Sequence, residues 1–195
     1  MNATSKEAVG LAYSLEGMLH AKRMTWEAIG QIARQVKPGM QESAAREMGL
    51  QVLREMGMER IWHPLLIRFG ANTLKTFKQR SDGDPLLQEN DLFFIDLGVV
   101  WDRHEGDCGA TFVVGDDAEM HACAAAAKSL FDQVHDHWQS HLVAGPELYR
   151  YAQEQARAMG WALNLDIKGH RVSDFPHAIY LSLIHISEPT RQAEI

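Results

Sequence analysis

The chain has little sulfur, no basic surplus and no long apolar run, and each shortage removes a class of protein. Two cysteines in 195 residues, Cys108 and Cys123, cannot make a disulfide framework, so a reducing cytoplasm is the expected compartment. Lysine and arginine total 19 against 26 aspartates and glutamates, a net charge of -7. Neither nucleic acid nor an anionic membrane is an expected partner, because both call for a basic footprint. No apolar stretch approaches the length of a membrane-crossing helix, and the opening MNATSKEAVG lacks the basic-then-apolar plan of a secretory leader. Short solenoid repeats and low-complexity tracts are also missing. What is present is 46% hydrophobic content, enough for one soluble domain with a real core.

Apolar periodicity divides the chain into helices and strands in an α+β order. Residues 25–36 read as a helix capped by Thr25, with Ile29, Ile32, Ala33 and Val36 on one face, ended by Pro38 and Gly39. A second helix spans about Glu42 to Met56, with Ala45, Met48, Val52, Leu53 and Met56 inward. RIWHPLLIRFG reads as a strand around a proline and SDGDP as a loop. Two further strands follow, the second ending in ATFVVG. The longest helix runs from Met120 to His141, and another begins at Pro146 and stops at Gly160. WALNLDI is strand-like.

One residue in NDLFFIDLGVVW stands out. The stretch reads as a strand buried on both faces, yet Asp96 sits in its middle. A two-residue turn at Trp101 and Asp102 would place Asp107 directly opposite Asp96. Like charges so paired repel, and a shared proton, a basic partner or a divalent cation would relieve them. A second constellation is GHRVSDFPH, with His170 and His177 seven residues apart. Histidine is both a metal ligand and a proton shuttle. The histidines of VHDHWQSH (His135, His137 and His141) read as a solvated helix face, and His20, His63, His104 and His121 as ordinary loop or core residues.

These stretches resemble a known family. IDLGVVWDRHEGDCGATFVVG is similar to the central signature of the methionine aminopeptidase, Xaa-Pro dipeptidase and creatinase superfamily, in which a second aspartate follows the first by eleven positions. GHRVSDFPH resembles its later motif, and KPGMQE the proline-glycine turn between its first two helices. The likeness spans residues 17–180 and implies the α+β pita-bread fold. It also implies a dinuclear centre of manganese, cobalt, zinc or iron, acting on a peptide or small amide substrate. Asp96 would bind one ion, Asp107 would bridge both, His170 would bind the second, and His177 would hydrogen-bond the substrate carbonyl or the tetrahedral intermediate. Two further glutamates, one of them the general base, would lie beyond Tyr180.

The final stretch LSLIHISEPTRQAEI, residues 181–195, resembles the translation of a sequencing-library adapter, which divides the chain into a partial pita-bread domain over 1–180 and a foreign tail. Such a piece is expected to be inactive by itself and to expose sheet edges, leaving a homodimer open. Departures from the family pattern are Ala110 in place of an arginine, Ala178 in place of a glutamate after His177, and no histidine in NTLKTFKQRSDGDP. They leave open a catalytically silent binding module and a hydrolase of other C–N bonds.

Overall fold

The computed structural model describes residues 9–166, 169 and 171–176. His170, His177 and the adapter-like stretch 181–195 lie outside them. Helices α1 (Leu15–Ala33) and α2 (Glu42–Glu55) precede strand β1 (Arg60–Phe69) and a short 3-10 turn, Gly70–Leu74. Strands β2 (Asp91–Trp101) and β3 (His104–Val114) follow, then helices α3 (Ala118–His141) and α4 (Gly145–Ala158). The strands form one antiparallel sheet in the order β1-β2-β3.

The core lies between one face of this sheet and the first two helices. Ala28, Ile29 and Ile32 of α1 and Ala45, Val52 and Leu53 of α2 meet Leu65, Ile67 and Phe69 of β1. From β2 come Phe93, Ile95, Leu97, Val99 and Trp101, every second residue, as the pleat requires. Burying a side chain such as Ile29 or Leu53 contributes about 1.5–3 kcal/mol, so this layer dominates the stability of the fold.

α1 begins ten residues earlier than the sequence suggests. Ser14, not Thr25, caps it: Ser14 has extended backbone and its hydroxyl accepts from the Gly17 N–H at 3.0 Å. Thr25 is fully buried mid-helix, where its hydroxyl donates to the Ala21 carbonyl at 2.8 Å and accepts from the Trp101 indole N–H at 3.0 Å. A residue type that suits caps therefore ties the helix to the β2–β3 hairpin instead.

Residues 161–166 form no strand. The end of α4 is closed by Gly160 at φ 84 and a Trp161 N–H to Ala156 carbonyl bond of 2.9 Å. The Asn164 side chain then takes the Asp166 N–H at 2.9 Å, a local turn that competes with strand pairing.

Candidate metal centre

The hairpin turn sits one residue later than expected. Asp102 and Arg103 both have positive φ, 45 and 62, which is the geometry of a two-residue turn that matches strand twist. Neither is glycine, and the strain is offset by bracing. The Arg103 N–H donates to Glu59 at 3.0 Å, His104 Nδ1 donates to the Asp102 carbonyl at 2.7 Å, and the Phe175 N–H donates to the Arg103 carbonyl at 2.7 Å. The shift moves every pair. Asp96 lies opposite Gly109, and Asp107 opposite Gly98.

The two aspartates are therefore diagonal neighbours on one face rather than a directly opposed pair, and diagonal residues are still within reach of each other's long or charged groups. That face is not buried as the sequence implies. Leu92, Phe94 and Asp96 are only partly covered, and the Asp96 side chain keeps 37% exposure. Alternation therefore gives the first half of β2 an apolar face for the core and an open face that carries Asp96, while Leu97 to Trp101 are buried on both faces as the sequence implies.

A third residue joins them that sequence reasoning passed over. His63 pairs with Gly98 across β1 and β2, so His63, Gly98 and Asp107 form one row across the sheet. A Cβ at Gly98 would overlap the imidazole, so the glycine leaves the floor on which the ring lies. His63 Nε2 comes to 3.4 Å from Asp107 Oδ1 and 3.8 Å from Asp96 Oδ1. Trp62 meets the ring edge-on at 4.6 Å. Among the described residues, this is the one group of three histidine, cysteine or acidic side chains whose ligand atoms converge, all within 4.8 Å of one another. The available signals were the glycine in an otherwise apolar strand and the proline after His63, but neither specifies register.

Electrostatics follow from that packing. Burial by itself lowers the His63 pKa, but the Asp107 hydrogen bond, the Asp96 charge and the Pro64 carbonyl together outweigh it, so the value is raised above the ordinary 6.5. Cys108, the residue after Asp107, is pushed up to about 12, first by burial and then by the charges of Asp107 and Asp96. Its thiol is a packed apolar group rather than a ligand or nucleophile at neutral pH. It and Cys123 are both free.

His170 and His177 flank a described strap, 171–176, that the hairpin holds in place. The Glu105 N–H donates to the Ser173 carbonyl at 3.0 Å, and Glu105 Oε2 accepts from the Ser173 N–H at 3.2 Å. Asp174 accepts from the Gly10 N–H at 2.8 Å, the Ala12 N–H at 3.0 Å and the Ser173 hydroxyl at 3.0 Å. Burial alone would raise its pKa, but these donors together hold it below the ordinary carboxylate value. His104 is a buried histidine satisfied within the core, accepting from the Ser14 N–H at 3.0 Å. The run on α3 stays a packing and solvent face. His137 stacks on Tyr151 with ring centroids 3.8 Å apart and on His141 at 4.4 Å, while His135 contacts Asp136.

Comparison with known proteins agrees with this architecture. No curated protein matches the chain. An X-Pro aminopeptidase from Thermotoga maritima MSB8 superposes with a TM-score of 0.70 at 16% identity, covering 90% of this chain and 49% of that one. A prolidase from Pyrococcus horikoshii OT3 gives 0.69 at 17% identity, with 90% and 50% covered. A methionine aminopeptidase from Thermotoga maritima gives 0.67 at 14% identity, with 90% and 72% covered. The chain thus spans about half the length of the first two, and the likeness is one of fold: the α+β pita-bread arrangement that the motifs imply. The model of metallopeptidase family M24 matches residues 16–186, and the chain belongs to that family.

Proposed function

We propose that this chain carries the first metal-holding strands of a hydrolase that removes an N-terminal residue or splits a short peptide, in the manner of an aminopeptidase or Xaa-Pro peptidase. The observation that carries the reading is the convergence of Asp96 and Asp107 on one sheet face with an imidazole nitrogen, all within 4.8 Å. Carboxylate and imidazole donors suit manganese, cobalt, zinc or iron in the divalent state, so the donor set fits the ion that the family implies. In this proposal Asp96 would hold one ion, Asp107 would hold both, His170 would hold the second, and His177 would donate a hydrogen bond to the substrate carbonyl or the tetrahedral intermediate. Bound divalent ions would supply Lewis-acid polarisation of the scissile carbonyl and a water acidic enough to act as nucleophile near neutral pH.

The protein's own contribution is placement. The hairpin fixes Asp96 and Asp107 two rows apart, and the same hairpin pins the strap whose ends lead to His170 and His177. The general base is a glutamate expected beyond Tyr180, so the 195-residue chain alone is proposed to hydrolyse nothing. Among the described residues no helix is long and apolar enough to cross a membrane, and the free thiols suit a cytoplasmic setting. The test is hydrolysis of a dipeptide and tripeptide library by the product of the complete gene, supplied with Mn²⁺ or Co²⁺. Turnover that disappears in Asp107→Ala is expected. A folded, metal-loaded product without turnover on any amide would overturn the reading in favour of a binding module.

A further inference from the structure

We propose that His63 is itself a donor to the ion held by Asp96 and Asp107, so that the three strands of the described sheet make a site of their own, with one donor each from β1, β2 and β3. The inference rests on the reading of this face as a metal site and adds a residue that the motif resemblance does not assign. Three independent features of the structure support it.

The first is aim. Register shifts occur on both sides of His63, between Ile61 and His63 and again between His63 and Leu66. Bulges re-aim side chains, and here two of them bracket one residue. The second is room. Gly98 is the residue beneath the ring, and any side chain there would displace it. The third is tautomer. His63 Nδ1 lies 3.0 Å from the Pro64 carbonyl. Carbonyls and carboxylates only accept, so without an ion both ring nitrogens donate; beside an ion held by the carboxylates, Nδ1 keeps its proton on Pro64 and Nε2 is the nitrogen left to coordinate. A histidine ligand held by a carbonyl through its other nitrogen is the usual arrangement in metal sites.

The separations agree. Donors about 2.1 Å from a common ion in tetrahedral geometry stand roughly 3.4 Å apart, and wider angles extend this to about 4 Å. His63 Nε2 is 3.4 Å from Asp107 Oδ1 and 3.8 Å from Asp96 Oδ1. These two pairs already have the spacing of ligands on one cation, and the Asp96 and Asp107 oxygens, within 4.8 Å of each other, have only to close to about 4 Å by side-chain rotation to join them.

A rival role predicts the opposite sign. Were His63 merely a counter-cation that quiets two carboxylates, it would compete with a metal, and removing it would leave binding unchanged or tighter. As a donor, its removal weakens binding. The experiment is titration of the full 195-residue chain with Co²⁺ alone, followed by calorimetry and by visible absorption, which reports the ligand field. His63→Ala is expected to raise the Co²⁺ Kd at least about tenfold, as losing a ligand or its support commonly does, and to change the absorption envelope. Gly98→Ala, which closes the floor under the ring, is expected to move both readouts in the same direction. Unchanged or tighter Co²⁺ binding in folded His63→Ala would overturn the proposal, and His63→Gln is read in its place should the alanine variant fail to fold. No substrate enters this titration. Failure of peptide hydrolysis by the complete gene product therefore leaves the His63 result standing, and failure of the His63 result leaves the hydrolase reading with its other ligands.

Discussion

Ile95 and Asp96 are neighbours in one strand and belong to different parts of the molecule's logic. Ile95 is fully buried against the two helices, where only volume and apolarity matter. Asp96 points the other way, keeps 37% exposure, and lies 3.8 Å from an imidazole nitrogen. The pleat separates stability from chemistry at single-residue resolution, so adjacent substitutions should produce opposite phenotypes. Ile95→Ala is expected to cost about 2–5 kcal/mol in denaturant unfolding while leaving the Co²⁺ Kd of the molecules that stay folded nearly unchanged. Asp96→Asn should alter stability by only about 0.5 kcal/mol, as surface substitutions do, and abolish measurable Co²⁺ binding. If Asp96→Asn unfolds the protein as strongly as Ile95→Ala, the division between the faces is wrong.

Gly98 is the point where the two faces constrain each other. It is buried, yet what fills the space above it is the His63 ring rather than a core side chain. Gly98→Val should cost about 1–3 kcal/mol by overpacking, and the loss should shrink in the double variant with His63→Ala, because the clashing partner is gone. Additive losses in that cycle would contradict the contact.

The strap offers a smaller effect of the same kind. Asp174→Ala removes three hydrogen bonds and frees two backbone N–H groups at Gly10 and Ala12; about 1–3 kcal/mol is expected. Its depressed pKa sets the direction with pH. The stabilisation is fully present above the unfolded value near 3.8 and is lost as pH falls through the still lower folded value. Acid unfolding curves of the wild type and Asp174→Ala should converge at low pH.

The smallest effect concerns His63 in the metal-free protein. Its raised pKa means that the protonated ring stabilises the fold below about 6.5, and this contribution disappears as pH rises through the folded value. A proton NMR titration should find His63 titrating above 6.5, and above His63 in an Asp107→Asn variant. An unshifted His63 would remove the electrostatic link between the two.

Much of the fold was legible because it depends on local pattern. Ala45, Val52 and Leu53 face the core at helical spacing, and Phe93, Ile95, Leu97 and Val99 do so at strand spacing. The site was legible only where sequence distance stood in for spatial distance. The eleven-residue interval between Asp96 and Asp107 marked them as partners, although the turn sits at Asp102 and Arg103, residues with no glycine or asparagine to announce positive φ. That single step moved Asp107 from opposite Asp96 to opposite Gly98. His63 was illegible because its position depends on two bulges and on its pairing with the distant Gly98, and no periodicity encodes that. In the cluster of three histidines on α3, conspicuous in the sequence, His137 stacks on Tyr151, and among the described residues no carboxylate pair converges with the cluster. Convergence comes from register, and density of ligand-type residues is a poor guide to it.

The most direct test of the central claim is the divalent metal content of the purified chain, measured by elemental analysis after equilibration with Mn²⁺ or Co²⁺, beside Asp107→Ala. At least one ion per folded chain, lost in the variant, is the result predicted for a sheet face built to hold a cation. No bound metal in either protein, with both folded, would contradict it and leave Asp96, Asp107 and His63 as an ion pair cluster and nothing more.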